Sequence, residues 1–235
     1  MKTYADFTAS LSRKETVWGW IWLIFSAAAL SPLLRLGNSM LGSPLSASTL
    51  NLVYHCVNLA AVLCIFRRFL AASFRSALRT PFAVVWYACL GYLGSETLGR
   101  FLLILIYRIV PDFANINNGY ISAMLHQEFR LLAICIVFLV PVVEETLYRG
   151  LLFRGLFGKN TTAAYLISMA LFAAAHMMPY VGIYSPLQLF LNFLQYLPAG
   201  YCLCWCYRQT GTIATPILMH ALVNAIAIGA IRGIG

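Results

Sequence analysis

Seven apolar segments follow one another along this chain, each about as long as the roughly 20 residues a helix needs to cross a bilayer. They run over about 17–36, 49–66, 81–109, 128–157, 161–178, 186–207 and 213–231. In hydrocarbon every backbone amide must find its partner inside the segment, so such runs fold as helices. The expected fold is therefore all-α: a polytopic membrane helix bundle of about seven transmembrane helices. Charged residues make up 10% of the chain, against about 25% in soluble domains. The length suits one integral membrane domain, divided into N-terminal helices over 1–127 and a candidate catalytic core over 128–235.

The net charge of +9 does not point to nucleic acid, because the basic residues are scattered between apolar runs. With seven spans, Arg13, Lys14, Arg67, Arg68, Arg75, Arg79, Arg154, Lys159 and Arg208 fall on one side. The opposite side has two uncharged loops, 37–48 and 178–185, a mixed segment over 108–128, and Arg232. The positive-inside rule then puts the N-terminus in the cytoplasm and the C-terminus outside. The first segment follows Lys2, Arg13 and Lys14 and contains Ala27-Ala28-Ala29, which mimics a small-residue cleavage site. Its apolar run continues past that point, so it reads as an uncleaved helix. The segments over 67–80 and 111–127 are expected to be a basic loop and a polar loop. Seven cysteines, most within apolar runs, read as packing residues, and neither a CxxC nor a Cys/His metal spacing is present.

The polar residues inside the spans are few, and a charge at that depth normally faces a protein interior or a wet cavity. Only seven residues in the chain are acidic, and two of them, Glu144 and Glu145, sit side by side at the end of the run 131–143. Glu145 and Arg149 are four apart with the glutamate first, the favourable orientation for an ion pair on a helix. Glu144 points about 100° away, without a local cation. One carboxylate is expected to be structural and the other available. Pro141, just before them, removes a backbone donor and predicts a kink. Glu96 and Arg100 repeat the four-residue spacing and read as an intrahelical pair; His55 reads as a packing residue and His126 as a solvated one.

Two further spans bring polar groups towards the same depth. Glu144 lies about 15 residues before the turn at Lys159 and His176 about 17 after it, so antiparallel helices at 1.5 Å per residue level the two. His220 and Asn224, four apart, share one face of the last span. An isolated histidine or asparagine in a span is ordinarily a packing or hydrogen-bonding group. Two histidines, a free glutamate and an asparagine in so apolar a chain point instead to a site inside the bundle.

The motifs Glu144-Glu145-xxx-Arg149, Phe172-xxx-His176 and His220-xxx-Asn224, in that order on successive helices, resemble those of the CPBP family of intramembrane proteases. That family includes the CAAX prenyl endopeptidases and the bacterial Abi-type proteins, and the resemblance covers the chain from about Glu128 onward. It implies a glutamic-type intramembrane endopeptidase without a cofactor, acting on a membrane-associated protein or peptide, with the lipid bilayer as its other partner. Glu144 would activate water, His176 would hold it and protonate the leaving amine, and His220 and Asn224 would stabilise the oxyanion. Glu145 and Arg149 would support the site. The chemistry agrees, since a carboxylate away from bulk water is a usable general base and oxyanion stabilisation usually carries most of the rate. The compact chain suggests a bacterial inner membrane.

Three other readings use the same residues. Two histidines and a glutamate make a catalytic zinc site, although no His-Glu-xx-His motif is present. A proton-coupled transporter could use Glu96, Glu144 and the histidines as a relay, but the sequence shows no inverted repeat or paired broken helices. A non-catalytic immunity or scaffold protein is the third.

Overall fold

In the computed structural model, which describes residues 7–234, the chain is a bundle of helices. Residues 1–6, with Lys2, and 235, at the outer ends of the expected divisions 1–127 and 128–235, lie outside the described residues, as does the side chain of Arg232. The helices are α1 (Arg13–Ser39), α2 (Ala47–Ile65), α3 (Arg67–Ala77), α4 (Pro81–Ile109), α5 (Ile116–Gln127), α6 (Phe129–Phe157), α7 (Thr161–Tyr180), α8 (Pro186–Thr210) and α9 (Ala214–Ile234). Six of them (α1, α2, α4, α6, α7 and α9) are long and apolar enough to cross a membrane.

The seven expected segments correspond to the seven long helices, but two expectations fail between them. The basic segment after α2 is the helix α3 rather than a loop, and most of the polar segment before α6 is the helix α5. Both are amphipathic or mixed, so a search for long apolar runs passes over them. The sixth expected span, α8, is a 25-residue helix that falls short in hydropathy. Polar side chains in its middle face protein. Buried Asn192 accepts from the Ile116 amide at 2.9 Å, and Gln195 accepts from the Asn115 side chain at 2.7 Å. The heaviest packing in the molecule places α8 against α4 and α7, with α9 also on α4.

Local sequence sets the helix ends. Ser12 and Glu15 form a capping box on α1, and Ser185 and Gln188 form another on α8, where Pro186 takes the first position. Such side chains satisfy amides that the helix itself leaves unpaired. Asn160 caps α7 through the Ala163 amide at 3.0 Å. Gly211 closes α8 in the left-handed region at φ 69°, a conformation that glycine adopts without strain. Large apolar side chains such as Trp18, Ile24, Phe101 and Phe138 point outward and are exposed, as they would in a solvent of lipid tails.

One apolar core packs Phe66, Phe69, Leu151, Phe153, Tyr207 and Ile213 towards the arginine-rich end of the bundle. A second, around Tyr148, Leu152, Phe172, Leu203 and Met219, lies beside the twin glutamates. Gly200 lets α8 approach α7: a Cβ there would come within 2.9 Å of Met169 Cβ and 3.2 Å of its Cα.

Candidate active site

The site begins with the irregular course of α6. The backbone shifts to i→i+5 bonding over Cys135–Leu139, returns to α over Val140–Glu145, and shifts again over Thr146–Phe153. Such π-helical turns recur at functional sites. Proline explains part of this. The Val140 amide bonds back to the Cys135 carbonyl, and Pro141 has no amide to offer. The Ile136 carbonyl therefore loses its donors at both i+4 and i+5. Asn224 of α9 supplies the missing partner, its Nδ2 donating to Ile136 O at 2.8 Å.

Glu145 and Arg149 are both fully buried, and Arg149 Nη1 donates to Glu145 Oε1 at 3.0 Å. The guanidinium also donates to the Gly200 carbonyl at 3.2 Å and lies over the Phe172 ring, 4.3 Å from its centre. The same Glu145 Oε1 takes a second bond, from His220 Nδ1 at 2.8 Å. Three helices (α6, α8 and α9) are thus tied through one ion pair. A buried charge is tolerable only when it is paired and hydrogen-bonded in this way.

Glu144 is arranged differently. Its side chain retains 22% exposure, and its Oε2 has no hydrogen-bond partner. That oxygen lies 4.0 Å from His176 Nε2 and 4.0 Å from His220 Nε2. Both separations exceed a direct hydrogen bond and match the gap that one bridging water fills. The far nitrogens of both rings are fixed. His176 Nδ1 meets the Phe172 carbonyl, its i−4 neighbour, at 2.9 Å, and His220 Nδ1 meets Glu145. Since Nδ1 donates in each case, the neutral ring leaves Nε2 as a lone-pair acceptor facing Glu144.

The structure therefore brings Glu144, His176 and His220 together, and attaches Glu145 and Arg149 behind them. Asn224 lies one turn beyond His220 with one amide hydrogen committed to Ile136. Two participants were not anticipated from the sequence. Tyr196 stacks on the His176 ring at 4.2 Å and 27°, and the Gly200 carbonyl receives Arg149. Aromatic residues are 14% of the chain, so nothing in the sequence separates Tyr196 from its neighbours. Phe172 is the centre of the aromatic packing, touching the rings of Tyr148, His176, Tyr196 and His220.

Among the described residues, no group of three or more His, Cys, Asp or Glu side chains is gathered as a metal-ligand set. Glu96 and Arg100 form an exposed pair at 3.5 Å on α4, which is the bland reading of their spacing. His126 is exposed in the last turn of α5.

Comparison with known proteins gives one match. Residues 126–226 match the Rce1-like family, described as type II CAAX prenyl endopeptidase Rce1-like. The matched stretch holds all six residues of the candidate site. It supports the resemblance to the CPBP group of CAAX-type proteases, and with it an intramembrane endopeptidase. No curated protein and no solved structure matches the chain.

Proposed function

We propose, from the Rce1-like character of residues 126–226, that the chain is an intramembrane endopeptidase in which Glu144 activates water to cleave a membrane-anchored peptide. The observation that carries this reading is the unpartnered Glu144 Oε2, 4.0 Å from Nε2 of both His176 and His220. A water in that gap would donate one proton to Glu144 and the other to His176 Nε2. Glu144 removes the first proton as the water oxygen attacks the peptide carbonyl carbon. The carbonyl π pair moves onto oxygen and forms the tetrahedral oxyanion.

His220 faces that developing charge. Donation from its Nε2 requires the imidazolium form, because Nδ1–H is held by Glu145. Asn224 Nδ2 has a second hydrogen for the same purpose. Collapse of the intermediate breaks the C–N bond, and the proton taken by Glu144 passes through His176 to the leaving amine. Fixed donors aimed at charge that appears only in the transition state lower the barrier without reorganisation at the moment of reaction.

The family description favours a peptide carrying a prenyl group, and a membrane-anchored peptide with an apolar tail is the second candidate substrate. An N-terminus in the cytoplasm fits the distribution of basic residues, and the compact chain with short loops suits a bacterial inner membrane. A zinc reading would use the same three side chains. Tetrahedral ligands at zinc bond lengths stand about 3.3 Å apart, so each oxygen–nitrogen gap would have to close by about 0.7 Å.

The test uses the full-length protein in nanodiscs, offered a farnesylated CAAX peptide and an apolar-tailed peptide. The products are read by mass spectrometry with and without a strong chelator. The expected result is one internal cleavage, unaffected by the chelator. Cleavage that stops with chelator and returns with zinc would overturn the water-activating glutamate, and no cleavage of either anchored peptide would overturn the protease.

A further inference from the structure

The helix α3 connects the end of α2 to the start of α4 and packs against α2 and α9, so it lies at the end of the bundle where the consecutive apolar helices α2 and α4 are joined. Its eleven residues have a sided pattern. Phe69, Leu70, Ser73 and Ala77 are buried, and they hold the helix on the protein by specific bonds. Glu15 Oε1 accepts from the Phe69 amide at 2.9 Å, in the first turn of α3. At the other end Ser73 Oγ accepts from the Ile213 amide at 2.8 Å and meets Thr212 Oγ1 at 3.0 Å. The helix is docked in a fixed rotation, so its outward face is also fixed.

That outward face has two stripes. Arg68 and Arg75 are seven apart, which is two turns along one line, and Arg79 lies in the turn just past the helix end at Ala77. All three are exposed. Among the described residues none of them closes an ion pair; Arg68 acts on Glu15 through space, but that carboxylate is already bound to Ser12 and Phe69. Beside this row runs an apolar edge. Phe74 on the helix is 41% exposed, Leu78 at its C-terminal cap 80%, and Phe82 in the first turn of α4 91%. Exposed arginines next to exposed apolar side chains, on a helix and the turn that follows it at the end of a membrane bundle, match the boundary between headgroups and acyl chains.

We infer that α3 is an interfacial binding site for anionic phospholipid headgroups. Arg68, Arg75 and Arg79 engage the phosphates, and Phe74 and Leu78 enter the acyl region beside them. The partner is a bilayer lipid, chosen by charge complementarity: nine basic residues are expected on this side of the bundle from the loop pattern. The site does not depend on the protease reading, and a protein without proteolytic activity would still have it.

The test is lipid retention by the full-length protein released from nanodiscs of equimolar phosphatidylglycerol and phosphatidylcholine, read by native mass spectrometry. An arginine near an anionic surface contributes roughly fivefold, so three together contribute on the order of 100-fold before screening. The parent protein is expected to retain phosphatidylglycerol over phosphatidylcholine by about tenfold or more. Arg68→Gln/Arg75→Gln/Arg79→Gln should bring that ratio close to one, with the melting temperature in phosphatidylcholine nanodiscs unchanged. Arg13→Gln/Lys14→Gln/Lys159→Gln removes the same charge from the same end and should keep most of the preference. Phe74→Ser/Leu78→Ser should lower retention of both lipids alike. A parent with no preference, or equal loss in the two charge variants, would overturn the site, and unchanged retention in the Ser variant would overturn the inserted edge.

Discussion

Glu145→Ala leaves Arg149 buried with nothing to balance its charge. Both side chains are fully buried, and the pair is closed at 3.0 Å. What remains around the guanidinium is the Gly200 carbonyl at 3.2 Å and the Phe172 ring at 4.3 Å, neither of which neutralises it. Breaking a buried pair by removing one partner costs about 3–5 kcal/mol, far more than the net worth of the pair. The variant also removes the acceptor of His220 Nδ1, a further 1–3 kcal/mol or so for a charged hydrogen bond. Replacing both partners in Glu145→Leu/Arg149→Met removes the stranded charge, so the double variant should be more stable than Glu145→Ala, with a coupling of at least about 2 kcal/mol. The assay is unfolding in detergent of the parent, Glu145→Ala, the two single variants Glu145→Leu and Arg149→Met, and the double variant. Costs that simply add, or a Glu145→Ala protein within about 1 kcal/mol of the parent, would refute the argument that burial makes this pair costly to break.

Three smaller predictions follow from the same contacts. Asn224→Ala strands the Ile136 carbonyl that Pro141 freed, and should cost about 1–3 kcal/mol in the same unfolding assay, whatever it does to turnover. Tyr196→Phe keeps the ring stacked on His176 and should retain activity, whereas Tyr196→Leu should lower kcat with KM little changed, read on an anchored peptide. Gly200→Ala pushes a methyl group into the α7 backbone at Met169, and should destabilise by about 1–3 kcal/mol.

The membrane class and the long helices were legible because span length and low charge are averages over some 20 residues, insensitive to any one contact. The third span was placed at 81–109 and α4 is Pro81–Ile109. The pairing of Glu145 with Arg149 was legible because a four-residue spacing within one helix fixes the geometry. α3 and α5 were missed because they are short, and neither is a long apolar run: α3 carries arginines on its outer side, and α5 mixes asparagines with apolar residues. The lower hydropathy of α8 has the same origin: Asn192 and Gln195 are polar because their partners are in the segment around α5. Asn224's bond to Ile136 depends on a proline in another helix and on two π-helical turns, so no local pattern announces it. The expected link between His220 and the site was an oxyanion contact. In the structure its Nδ1 is on Glu145, and only Nε2 is free for that purpose.

The two glutamates are neighbours in sequence with opposite surroundings, so one pair of numbers on one variant separates their roles. Glu144→Gln keeps the side chain's shape and breaks no hydrogen bond at Oε2, which has none within the protein. Its melting temperature should equal the parent's or exceed it slightly. Its kcat on an anchored peptide should fall by about 10²–10⁴-fold, the usual contribution of a general base. A Glu144→Gln protein that melts like the parent and still cleaves within tenfold of its rate would contradict the assignment of Glu144 as the group that activates water.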